Sequence, residues 1–119
     1  MNEHRDIDPT GLARLHRLGG PAFVENMIDL FFREIPVRLA AARKGEQTGD
    51  LRAVCAAAHS IKSSAMNFGA ISLNAIAEKL EAAMDANNSH ELSKQLDDME
   101  EAYARVKSWL ESQKASLKT

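Results

Sequence analysis

His59 and Lys62 stand three residues apart in the run Asp50 to Gly69, D-L-R-A-V-C-A-A-A-H-S-I-K-S-S-A-M-N-F-G. An imidazole titrates near neutral pH and serves as nucleophile or proton carrier. An ammonium one helical turn further on can steady an anion. Advancing about 100° per residue gathers Leu51, Val54, Ala58, Ile61, Ala65 and Phe68 into one apolar arc. His59 falls roughly 140° from the middle of that arc. Arg52, Ala56, Ser63 and Met66 share its side of the helix, while Cys55 and Lys62 lie between it and the apolar face. The immediate neighbours Ala56, Ser60 and Ser63 are short, so a bulky partner can approach the ring. Met66, an apolar residue turned to water beside it, suits a docking surface. By spacing alone, an ordinary surface histidine remains the favoured reading.

Other chemistry is weaker. Cys55 lies one turn before His59, but no third group orients such a pair and no oxyanion hole accompanies it. No set of histidine, cysteine and carboxylate residues has metal-ligand spacing on one face. His4, His16 and His90 read as surface residues.

The elements that must hold the central helix are helical too. The chain has 119 residues, 45% hydrophobic and 27% charged, with a net charge of −2. Such a charge gives no electrostatic footprint for nucleic acid or an anionic membrane. The apolar runs are far shorter than the roughly 20 residues of a membrane span, and the N-terminal M-N-E-H-R-D lacks an apolar signal segment. The single cysteine excludes an internal disulfide and points to a reducing compartment, the cytoplasm.

In chain order, Asp8-Pro9 predicts a capped helix start. Leu12, Leu15 and Leu18 line one side of a short helix ending at Gly19-Gly20. Pro21 opens a longer helix to about Glu46, with Val24, Met27, Ile28, Phe31, Ile35, Leu39 and Ala42 buried. Phe23, Leu30 and Phe32 widen that face to receive the first helix, and Pro36 predicts a kink. Gln47-Thr48-Gly49 turns the chain and Asp50 caps the central helix. Gly69 ends it in a left-handed conformation. A helix from about Ala70 to Ala86 follows, carrying Leu73, Ile76, Ala77, Leu80 and Met84. Asn87-Asn88-Ser89 breaks it, and Asn88 with Glu91 suggests a capping box. The last helix carries Leu92, Leu96, Met99, Tyr103, Val106 and Leu110, with Trp109 at the edge of the stripe. The tail from Ser112, and above all residues 114–119, is expected to fray, as are residues 1–6. The expected fold is one all-α domain over 1–119. Its architecture is an antiparallel up-and-down four-helix bundle with a short additional N-terminal helix covering one end.

The string A-H-S-I-K-S-S-A-M-N-F-G-A-I-S-L-N-A-I-A-E-K-L-E resembles the signature of histidine-containing phosphotransfer (HPt) domains. That pattern has a histidine, a lysine three residues later, small residues, a glycine ten residues after the histidine and then a leucine-rich helix. Here those positions are His59, Lys62, Ser63 to Ala65, Gly69 and Leu73 to Leu80-Glu81. The upstream L-G-G-P-A-F-V-E-N-M-I-D-L-F-F also resembles the family's second helix. Two positions depart from the pattern: Ser63 stands where glycine is frequent, and Met66 where a small residue is common.

The resemblance implies that His59 accepts a phosphoryl group from the phospho-aspartate of a response-regulator receiver domain and passes it to another. It implies that Lys62 steadies the phosphoryl oxygens, and that receivers dock over Arg52, Ala56, Ser63 and Met66. The expected partners are receiver domains and a hybrid histidine kinase, with no nucleic acid and no membrane. No cofactor of its own is expected, Mg²⁺ belonging to the receiver. The chain then acts as a phosphocarrier, lacking a glycine-rich ATP-binding segment, and as a monomer, having no long dimer seam. The sequence leaves open which imidazole nitrogen is phosphorylated. It also leaves two rivals: a phosphoryl-accepting domain excised from a hybrid or chemotaxis-type kinase, and a helical adaptor that carries no phosphate. A kinase dimerisation helix pair fits poorly, because its histidine is followed by an acidic residue and soon a proline, whereas His59 is followed by Ser60-Ile61-Lys62.

Overall fold

The computed structural model describes residues 6–82 and 89–117. They form four helices: α1 (Pro9–Thr48), α2 (Leu51–Phe68), α3 (Ile71–Ala82) and α4 (Ser89–Ser116). The one extended pairing among the described residues is an isolated antiparallel bridge between Ile7 and Ala70.

The helix ends lie where capping chemistry places them. The Asp8 carboxylate accepts from the Thr10 N–H, and Pro9 at the first helical position loses no bond. Asp50 likewise caps α2 by accepting from the Ala53 N–H. Gly49 and Gly69 close α1 and α2 in the left-handed conformation, with φ of 74° and 69°. α1 interrupts its helical backbone at Gly20 (φ 79°, ψ −177°), between the two segments read from the sequence. Pro36, by contrast, sits in helical backbone. Its fixed φ suits a helix, so the lost N–H does not interrupt α1 there as Gly20 does.

α1 packs on α2 and α4, and α3 packs on the same two helices. The core they share includes Ile28, Ile35, Ile61, Leu73, Leu96 and Leu110, each essentially without solvent access. Phe31 joins three helices, its ring centroid 4.8 Å from that of Phe68 and 5.7 Å from that of Tyr103. Such tilted aromatic pairs add specificity beyond area burial.

The segment before α1 forms a strap across the turn between α2 and α3. The Asp8 N–H donates to the Gly69 carbonyl at 2.7 Å. Asp6 accepts from the Ser72 hydroxyl at 2.6 Å and from Arg105 Nε of α4 at 3.1 Å. These bonds hold the Asp6 carboxyl below the ordinary carboxylate range, the Ser72 hydroxyl contributing most. Asp6 is thus tied down rather than frayed.

Several side chains depart from the faces read in the sequence. Leu12 and Leu15 are buried, but Leu18 is 69% exposed. The leading segment meets the end of α2 at Gly11, against Phe68-Gly69, and at Arg14, which donates to the Asn67 carbonyl, and Leu18 lies beyond those contacts. Phe23 and Leu30 are likewise exposed, while Phe32 packs against the core. Cys55 is buried instead of lying at the edge of the solvent face. α4 runs on to Ser116, where Lys114 pairs with Asp29 of α1 instead of fraying. Met84, the break at 87–89 and the capping role of Asn88 fall on or beside residues outside those described.

Candidate functional site

α2 presents His59 to solvent because its opposite face, Val54, Ala58, Ile61, Ala65 and Phe68, is consumed by the core. The His59 side chain is 62% exposed. Lys62, one turn on, leans toward α3 and is 25% exposed. Between them stands a residue that helical periodicity did not single out. Glu81 of α3 places Oε2 at 2.6 Å from His59 Nδ1 and Oε1 at 2.7 Å from Lys62 Nζ. One carboxylate therefore joins both candidate residues.

Two contacts fix the height of Glu81 against α2. The Asn74 side-chain amide donates to the Lys62 carbonyl at 3.1 Å. The Cys55 thiol is buried against the carbonyls of Leu80 and Glu81, at 3.8 Å from each oxygen. Cys55 is thus a packing residue beneath the site.

The charges reinforce one another. The Lys62 ammonium, and after it the His59 ring, hold the Glu81 carboxyl below its usual range. Glu81 in turn raises Lys62, with Glu78 adding a smaller pull. At neutral pH the carboxylate is ionised and the ammonium charged. An ionised carboxylate at hydrogen-bond distance can only accept, so the hydrogen of the ring must lie on Nδ1. In the neutral ring Nε2 then carries the free lone pair, and no described residue bonds to it.

The residues expected to surround this ring do share its face. Arg52, Ala56 and Ser63 are exposed, and Met66 is 64% exposed. Ile71, past the Gly69 turn, is also exposed and was not anticipated. Met66 and Ile71 border a groove of about 220 Å³ floored by Ala65, Gly69 and Ala70. His90 is exposed on the first turn of α4, His16 is half-buried on α1, and His4 lies outside the described residues. Among the described residues no group of three His, Cys, Asp or Glu side chains could hold a metal ion.

Residues 26–109 match the sequence profile of the Hpt domain. The chain belongs to the Hpt domain family. This Hpt domain is a histidine phosphotransfer protein of phosphorelay signalling. Its family carries phosphoryl groups rather than acting as ordinary enzymes, and interacts with receiver domains and histidine kinases. The fold is also similar to a solved structure, histidine-containing phosphotransfer protein B (HptB) from Pseudomonas aeruginosa PAO1, with a TM-score of 0.87. That alignment covers 93% of this Hpt domain and 96% of HptB at 23% sequence identity, a likeness of fold. A comparison with curated proteins finds no match.

Glu81 had one legible signal. His59 lies ten residues before Gly69 and Glu81 twelve after it. A helical hairpin folded at that glycine brings the two positions to nearly the same height.

Proposed function

We propose that His59 is the phosphoryl-accepting residue, that it attacks through Nε2, and that Lys62 neutralises the arriving charge. The observation that supports this most is the Glu81 bond to Nδ1, which leaves Nε2 outward with its lone pair. The lone pair forms the P–N bond as the acyl P–O bond of a receiver's phospho-aspartate breaks. The released electron pair stays on the receiver's carboxylate. Phosphoryl transfer needs in-line positioning and charge neutralisation more than covalent machinery, so a bare imidazole beside one ammonium suffices. Ser63 serves chiefly by being small. The domain supplies no cofactor of its own, and the Mg²⁺ belongs to the receiver.

Receivers dock over Arg52, Ala56, Ser63 and Met66. A hybrid histidine kinase stands upstream, and the phosphoryl group arrives without an ATP-binding segment in this chain. We read residues 1–119 as a single domain, an antiparallel up-and-down four-helix bundle whose short leading helix ends at the Gly20 break. The paired positions His59 with Glu81 and Lys62 with Asn74 support the antiparallel α2–α3 hairpin. The domain acts as a monomer in the cytoplasm, the latter a reading supported by its having a single cysteine and so no internal disulfide.

The test is to mix the protein with a phosphorylated receiver domain and Mg²⁺ and follow acid-labile, base-stable label. The wild type takes up label and His59→Gln takes up none, with helicity unchanged. Label persisting in His59→Gln overturns the assignment.

A further inference from the structure

Among the described residues Glu81 is the one group that touches both His59 and Lys62, and acceptance of phosphate does not by itself require a carboxylate there. Any hydrogen-bond acceptor, an amide oxygen included, can orient the Nδ1–H form of the ring. A full negative charge does something more once the ring is phosphorylated.

We propose that Glu81 is a positioning residue for onward transfer, its carboxylate holding the Nδ1 proton of phosphorylated His59 so that the phosphoryl group stays transferable. The proposal rests on His59 being the acceptor. When Nε2 takes the phosphoryl group no proton leaves the ring, so the product is an imidazolium bearing phosphorus on Nε2 and hydrogen on Nδ1. Its positive charge faces Glu81 Oε2, 2.6 Å from Nδ1 before transfer. In the onward step an aspartate oxygen of the next receiver attacks phosphorus. The P–N bond breaks and its electron pair returns to Nε2, regenerating neutral imidazole. Were the Nδ1 proton lost first, the ring would have to depart as imidazolate, a far poorer leaving group. Retaining that proton therefore separates a phosphate carrier from a phosphate trap.

The surroundings suit this role. Lys62 binds the other Glu81 oxygen at 2.7 Å and so aims the carboxylate at the ring. The titratable groups acting on Glu81 are Lys62 and His59 of α2, and Glu78 of α3 acts on Lys62. Cys55 and Asn74 fix α3 against α2 from below, so the carboxylate is placed before any partner arrives.

Glu81→Gln keeps the size and an acceptor oxygen but removes the charge. A hydrogen bond to an ionised acceptor is roughly twice as strong as a neutral one. Donation from phosphorylated Glu81→Gln to a receiver therefore fades at a pH about half a unit to one unit lower than in wild type, with roughly fivefold slower donation on the alkaline side. Donation is scored per labelled molecule, so any slower label uptake by the variant does not enter the comparison. Single-turnover donation from purified, labelled protein across the pH range reads this directly. Superimposable pH profiles overturn the proposal. Nitrogen NMR of the phosphorylated ring gives a second reading: Nδ1 keeps its proton to higher pH in wild type than in Glu81→Gln. Coincident titrations overturn the proposal as well. Failure of the wild type to take label instead removes the His59 assignment, so the two failures are distinguishable.

Discussion

Replacing Gly69 by alanine tests how firmly the N-terminal strap is bound to the α2–α3 turn. Gly69 has φ of 69°, where an L side chain costs about 1 kcal/mol. An added Cβ would also collide with the Asp8 carbonyl oxygen. That oxygen is backbone, so no side-chain rotation relieves the clash and the strap must retreat. Retreat breaks the 2.7 Å bond from the Asp8 N–H to the Gly69 carbonyl and disturbs the Ile7–Ala70 bridge. Losing one to two backbone hydrogen bonds adds about 1–2 kcal/mol. The expected total is about 2–3 kcal/mol. Gly49 is the built-in control, because its φ is 74° yet a Cβ there meets nothing within 4 Å. Gly49→Ala should therefore lose only the conformational part, about 1 kcal/mol. Urea unfolding of both variants, with slopes unchanged, measures the difference. At roughly 4 °C per kcal/mol for a domain of this size, thermal midpoints should fall by about 8–12 °C and about 4 °C respectively. Equal losses in the two variants would refute the claim that the strap presses on the turn.

Two further outcomes concern the site. Lys62→Ala should slow phosphoryl transfer roughly three- to tenfold, the scale of a partly exposed charge contact, without moving the unfolding midpoint. Stopped-flow transfer with one receiver checks this, and an unchanged rate refutes the charge role. Met66→Ala should weaken binding to some receivers by about fivefold and spare others, since a docked methionine loses apolar contact only where the partner covers it. Identical affinities across a receiver panel would exclude Met66 from the docking surface.

Much of the fold was legible because helices are local. The three- and four-residue recurrence of Val54, Ala58, Ile61, Ala65 and Phe68 selected the buried face of α2, and His59 was left facing water. Asp8, Asp50, Gly49 and Gly69 announced helix ends because caps act through their own backbone neighbours. The expectations that failed were those that depend on what lies opposite. Leu18 belongs to an apolar stripe, yet no neighbour covers it, so it remains exposed. Cys55 looked marginal on the wheel, but α3 closes over it at the carbonyls of Leu80 and Glu81. Lys114 seemed part of a loose tail until Asp29, 85 residues earlier, gave it a partner.

The sequence by itself determined the helices, their inward faces and the exposed His59-Lys62 pair, since each follows from residues within one or two turns. The tertiary structure alone decided the proton on Nδ1. That position depends on Glu81, which is 22 residues from His59 in the chain and reaches it only through the packing of α3 on α2. Helical periodicity reports which way a side chain points, but the identity of the group it meets is set by the register between two helices. In this chain Gly69, Asn74 and Cys55 set that register.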